Sequence, residues 1–361
     1  MAPSFVEARV AAVWADVLGV QGLSPDDDFF VVGGDSMSGM RILARLTSES
    51  GQTLSEADLF AARTIRGLAG FLKDTPVVAA PATPQSPAVR PVPGSRTRFP
   101  ATAGQQRLWV LDHILPNPEV YNVYSLVRMT GPLDHEALRH AFERVEERHE
   151  VLRVHFETDD GLPVQVVGSC QQFVLPIADL RAHGPGQARD IALREASADA
   201  AARLELDRDR LWCVKLYRTA EEEHLLWLKM HHTITDGWSL GVLFKDLEAY
   251  YEAARTGREP WPAPLVVQYG DYALWEQEFR RSAAHAGQVR FWKRTLAPPL
   301  APLDYPFSKP RPVWQNYHGD VVRFEVPHEL TAGIDRLCRE LSVTRFMVGL
   351  AAFQTVLHRY T

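Results

Sequence analysis

The strongest limit on the fold is a break in the chain. From Pro76 to Pro100 stand seven prolines, at 76, 81, 84, 87, 91, 93 and 100, set among mostly Ala, Val, Thr, Ser and Gln. Proline fixes φ and lacks an N–H, so such a run holds neither a helix nor a central strand. It reads as a semi-extended linker, and at about 3 Å per residue some 20 residues reach up to about 60 Å. The 361 residues therefore divide into a small domain over 1–75, a linker over 76–100 and a larger region from 101 onward.

Composition excludes several classes. The net charge of −6 comes with no basic run or stripe, which argues against nucleic acid. Cys170, Cys213 and Cys338 stand too far apart for a zinc site or a disulfide framework and point to a reducing compartment. The start, 1-MAPSFVEARVAAVW, lacks the basic and apolar regions of a signal peptide. No run of 18 or more apolar residues suggests a membrane span. The expectation is a cytoplasmic protein with no membrane partner.

The small domain reads as helical. Phe5, Val6, Val10, Val13, Trp14 and Val17 form a one-sided stripe; Met37, Met40, Leu43 and Leu46 form another; a further helix falls near 63-RTIRGLAGFLKD. The domain holds ten acidic and six basic side chains, most of the chain's net negative charge. Within it, 33-GGDS-36 precedes an apolar helix face. Glycines followed by Asp and Ser are often no more than a turn and a helix cap. The surrounding 26-DDDFFVVGGDSM-37 is more specific. It resembles the attachment motif DxFFxxGGxS[LIM] of the peptidyl carrier proteins of nonribosomal peptide synthetases. Asp27 or Asp28, Phe29, Phe30, Gly33, Gly34, Ser36 and Met37 fall on the motif, and the resemblance spans residues 5–75. It implies a small all-α, four-helix carrier domain with 4'-phosphopantetheine joined to Ser36 Oγ, beside Asp35 and Gly34. A phosphate at a helix N-terminus meets unpaired N–H groups and the positive end of the dipole. Met37, Met40 and Arg41 would be the docking face.

Beyond the linker the pattern mixes. Helices read at 133–149, 239–254 and 343–361; strands read at 122–130, 164–168, 211–219, 224–232 and 320–326. Interspersed helices and strands suggest a layered α/β or α+β domain. The most informative stretch is 230-MHHTITDGWS-239, a strand running into His231 and His232, then a turn to Asp236-Gly237 and a helix. Adjacent strand residues point to opposite faces, so the two imidazoles cannot share one cavity. Diverging imidazoles without a nearby Cys or carboxylate cluster also exclude a metal centre.

His231, His232, Asp236 and Gly237 match the HHxxxDG motif of condensation domains. Residues 102–112, 148–156 and 269–278 resemble that family's first, second and fourth core motifs, in order. The resemblance covers about 97–361. It implies two chloramphenicol-acetyltransferase-like lobes with the active site between them: an N-terminal lobe over 101–320 and the start of a C-terminal lobe over 321–361, largely missing. His232 would be the catalytic base or positioning group and His231 the inward, structural partner. Asp236 would hold the loop through a salt bridge. Gly237 would open the helix near the entry of the acceptor arm, with N–H groups for the developing oxyanion.

The implied activity is peptide-bond formation between a carrier-held aminoacyl or peptidyl thioester and a downstream carrier-bound amino acid, in antibiotic or siderophore synthesis. The implied partners are an upstream adenylation domain, a downstream carrier and a phosphopantetheinyl transferase. The QQRLW segment points to an L-type (or glycine) donor. Two alternatives stay open. Asp35 fits carriers that precede epimerization domains, although 238-WSLGVLFKDL lacks the Val-Ser-Trp continuation of that family. A non-catalytic recruitment platform is the other. The chain ends at Thr361, in an almost wholly apolar helix, so the piece alone is expected to be inactive and to expose apolar surface.

Overall fold

A computed structural model describes residues 4–34, 36–52, 54–74, 89–92, 94, 96–208, 210–258, 264–300, 319, 321–341 and 343–361. The chain falls into two compact units, 1–84 together with 298–361, and 85–297.

The small domain has four helices: α1 (Phe5–Leu18), α2 (Ser36–Ser50), α3 (Glu56–Ala62) and α4 (Ile65–Asp74). Ser4 and Glu7 form a reciprocal capping box at the start of α1, and Ser55 and Asp58 do the same for α3. The expected stripe buries Val10, Val13 and Trp14. They meet Ile42, Leu46, Ile65 and Leu68, and Phe29 closes the core from the loop before α2 with its ring edge-on to Trp14 at 5.1 Å. The loop is tied down twice: Phe29 N–H donates to Arg63 O at 2.7 Å, and Arg63 Nε pairs with Asp28 Oδ2 at 2.9 Å. The first part of the proline-rich segment, 75–88, lies outside the described residues.

The unit 85–297 begins with β1 (Arg98–Pro100), α5 (Ala103–Ile114), β2 (Asn122–Thr130) and α6 (His135–Arg148). Then come β3 (Val154–Asp159), β4 (Leu162–Val167), β5 (Ile177–Asp179), α7 (Pro185–Ala201), β6 (Trp212–Ala220) and β7 (Glu223–His231). The unit ends in α8 (Gly237–Thr256), α9 (Tyr269–Arg280) and α10 (Ala283–Thr295). A three-stranded antiparallel sheet runs β1-β4-β3, and a four-stranded sheet runs β2-β7-β6-β5. In the larger sheet only the β5–β6 pair is parallel. Strand β7 is central, and all nine of its residues are buried. Its Leu228 and Met230 join a core that includes Phe142, Val145, Trp212 and Leu216. The buried Trp212 satisfies its Nε1–H on Leu152 O at 2.9 Å.

Two helices follow, α11 (His328–Leu341) and α12 (Arg345–Tyr360). The expected strand at 320–326 is not one: residues 321–326 belong to no strand, and residue 320 lies outside the described residues. Val322 and Phe324 are 85% and 82% exposed, so the alternation has no core to face. No described residue of α12 is buried, and Phe346 and Phe353 stand in solvent. Among the described residues no helix is long and apolar enough to cross a membrane.

Candidate active site

The site grows from the end of β7. Backbone bonds hold both histidines: His231 N–H donates to Leu211 O at 2.8 Å and His232 N–H to Tyr121 O at 2.9 Å. Strand alternation then sends the rings apart.

His231 turns inward and is 1% exposed. Its Nδ1 accepts from Thr233 N–H at 3.2 Å and lies 2.9 Å from Thr233 Oγ1. The neutral ring therefore carries its proton on Nε2. That nitrogen stands 3.9 Å from Asp112 Oδ1, while Arg203 pairs with Asp112 Oδ2 at 2.9 Å. Burial outweighs the attraction of the carboxylate and pushes the His231 pKa down to about 4.

His232 turns into a cavity of 360 Å³. Its Nδ1 lies 2.6 Å from Thr235 O. A carbonyl only accepts, so Nδ1 holds a proton, and in the neutral ring the lone pair is on Nε2. Leu108, Leu152, Met230, Trp238, Val242 and Leu243 make the cavity largely apolar.

Asp236 is the N-cap of α8. Its Oδ1 accepts from Ser239 N–H at 2.7 Å and from Ser239 Oγ at 2.6 Å, and these bonds hold its carboxyl below the usual range. The salt bridge expected of Asp236 is absent among the described residues. A carboxylate at a helix start is already satisfied by the N–H groups and the dipole. Gly237 is the first residue of α8, with nothing within 4 Å of where a Cβ would stand, so the helix start is sterically open.

Sequence patterns give no role to three further residues of the cavity wall. Gln105 is 2% exposed; its Oε1 accepts from Thr102 N–H at 2.9 Å, and its Nε2 donates to Thr233 O at 3.3 Å, tying α5 to the histidine turn. His149 Nε2 lies 2.7 Å from Asp246 Oδ2, which also accepts from Arg148 Nε at 2.9 Å. Burial works against the Asp246 charge, but these two partners hold its carboxyl below the usual range. Tyr269 completes the wall. All three lie within the motif segments, but only their cross-chain partners single them out. Among the described residues no group of three or more His, Cys, Asp or Glu could hold a metal ion.

At the small domain, Ser36 is the first residue of α2. Asp35 and the side chains of Ser36 and Met37 lie outside what the structure describes. The approach to Ser36 demands glycine: Gly33 has φ 100°, and a Cβ on Gly34 would stand 2.5 Å from Phe29 O and 2.4 Å from the Phe29 ring. A helix of 15 residues opening behind a glycine turn suits a phosphate at its first residue.

The chain thus joins a small helical bundle to an α/β lobe in which a histidine lines a cavity. Residues 95–361 match the Condensation domain family, and residues 8–72 match the Phosphopantetheine attachment site family. The chain belongs to the condensation-domain family, preceded by a phosphopantetheine carrier domain in the arrangement of nonribosomal peptide synthetases. It is 36% identical over 360 residues to a linear gramicidin synthase polypeptide of Brevibacillus parabrevis, covering 99% of this chain and 7% of that protein. It is also 36% identical to the probable non-canonical nonribosomal peptide synthetase CymA of Salinispora arenicola, over 98% of this chain and 4% of that one. The chain thus spans a small fraction of these relatives.

Among solved structures it resembles the X-domain from teicoplanin biosynthesis (29% identity, TM-score 0.64, 76% of this chain and 60% of that chain). It also resembles the first condensation domain of the calcium-dependent antibiotic synthetase in complex with a substrate analogue (26%, TM-score 0.61, 74% and 61%).

Proposed function

We propose that this segment forms amide bonds in nonribosomal peptide synthesis, with Ser36 as the attachment residue and His232 as the base or positioning group. The observation that carries the reading is that His232 lines the cavity with its Nδ1–H held by Thr235 O at 2.6 Å, which in the neutral ring leaves the lone pair on Nε2. When bound, phosphopantetheine supplies a thiol that holds an acyl group as a thioester. An α-amine with a pKa near 8 is about one-tenth neutral at pH 7, so no strong base is needed to create the nucleophile. His232 Nε2 takes the proton released as nitrogen bonds to carbon. The positive end of the α8 dipole is suited to the carbonyl oxygen. Positioning of two tethered substrates adds to both.

The donor is read as L-configured or glycine. The partners are an upstream adenylation domain, a downstream carrier and a phosphopantetheinyl transferase, which would dock on the face that includes the exposed Met40. The domain division follows the same reading: carrier over 1–75, linker over 76–100, N-terminal lobe over 101–320 and the start of the second lobe from 321.

A second reading is a recruitment platform. It is favoured by the likeness to a teicoplanin X-domain solved in complex with OxyB (28% identity, TM-score 0.64). The intact His232 and Asp236-Gly237 favour catalysis.

The test is single-turnover condensation in the complete polypeptide with loaded donor and acceptor carriers. A new amide is expected, with His232→Ala slower by about 10²–10⁴ and Ser36→Ala gaining no phosphopantetheine mass. A wild-type rate for His232→Ala removes the base role. An inverted stereocentre without amide points to epimerization, and no chemistry with capture of another protein points to the platform.

A further inference from the structure

Tyr269 is the first residue of α9 and lines the same cavity as His232. Its position is fixed from behind. Gly270 is buried where a Cβ would stand 2.7 Å from the Phe99 ring, so glycine is what lets α9 close on β1. Ala103 N–H, at the start of α5, donates to Glu276 Oε2 on α9 at 2.8 Å. Between these ties, Tyr269 Oη lies 3.2 Å from Thr102 Oγ1.

These two hydroxyls share one hydrogen bond but hold two protons. Thr102 is 3% exposed and forms no part of the cavity wall. Its Oγ1 already accepts from Gln105 N–H at 3.3 Å as the cap of α5. Were Tyr269 the donor, the Thr102 proton would be stranded in the interior, which is the costly arrangement. With Thr102 donating, the phenol proton is left for the cavity that Tyr269 lines, where water or a substrate satisfies it.

We propose that Tyr269 is a catalytic hydroxyl whose O–H donates to the substrate carbonyl oxygen while the amide forms. This rests on the condensation reading of the site. The acceptor nitrogen bonds to the thioester carbon, the C=O π pair moves to oxygen under the Tyr269 O–H, and His232 Nε2 takes the amine proton. The pair then re-forms the carbonyl, the C–S bond breaks, and the proton leaves His232 with the sulfur as a thiol. Tyr269 keeps its proton throughout. Burial raises its pKa above the ordinary phenol value and outweighs the opposite pull of the Thr102 hydrogen bond, so the donor stays protonated at working pH.

The test compares Tyr269→Phe with the unsubstituted complete polypeptide, both carriers loaded. Loss of one such donor is expected to lower kcat by about 10²–10³, with KM and Tm nearly unchanged. A fluorinated tyrosine of lower phenol pKa at position 269 should move the alkaline loss of kcat to lower pH by about the pKa difference, which a packing role would not do. Wild-type kcat in Tyr269→Phe, or an unmoved alkaline limb, overturns this assignment alone. Failure of the unsubstituted protein to form any amide overturns the condensation reading with it.

Discussion

A histidine that stays uncharged makes a pH-sensitive support for its neighbour. His231 has an ordinary pKa of 6.5, lowered to about 4 in the fold by burial. Between these values the unfolded chain binds a proton that the native state refuses. The stability from a neutral His231 is therefore complete above about pH 6.5 and is lost progressively as pH falls toward 4. His224 is shifted in the same direction, first by burial and then by His135, and adds to the slope. Each group contributes at most about 1.4 kcal/mol per pH unit. His231→Asn should flatten the acid slope in denaturant melts between pH 6.5 and 4. A slope equal to that of the wild type would show that other groups govern it.

At the scale of elements, the histidine turn is clamped between β7 and α8, and Asp236 is the clamp on the helix side. Replacing a capping Asp by Ala costs about 1 kcal/mol, with a range of 0.5–2, whereas Asn caps almost as well. Asp236→Ala should lose stability and disorder the turn, while Asp236→Asn should keep most of both. Equal loss in the two variants would mean that the charge, not the cap, is what matters.

The sequence reveals this clamp only in part. Strand alternation separates His231 from His232, and the apolar stripes give α1, α6 and α8. The salt bridge expected of Asp236 fails because a cap bond made three residues away leaves little signature beyond the Ser239 that makes it. Short edge strands such as β1 and β5, three residues each, carry too little alternation to be read. Gln105, Tyr269 and His149 need their cross-chain partners, which no local pattern displays.

Over the whole molecule, the core centred on Trp14 and Phe29 shares no residue with the cores of the 85–297 unit. Separate cores permit separate transitions. Phe142 is fully buried, stacked 5.6 Å from Phe173 and tilted 6.1 Å from Trp212. Phe142→Ala should cost about 3–5 kcal/mol. That loss should appear in hydrogen exchange of β6 and β7 while the amides of α1 and α4 keep their rates. Acceleration of both sets together would show one cooperative unit. The buried β7, paired on both edges, has a further consequence for anyone redesigning substrate choice. A library that varies this strand would be filled with unfolded clones, and the survivors would still aim His232 the same way. The adjustable parts are on α8, where Trp238 and Val242 line the cavity, are 51% and 41% exposed and can change shape without disturbing the strand that aims the imidazole.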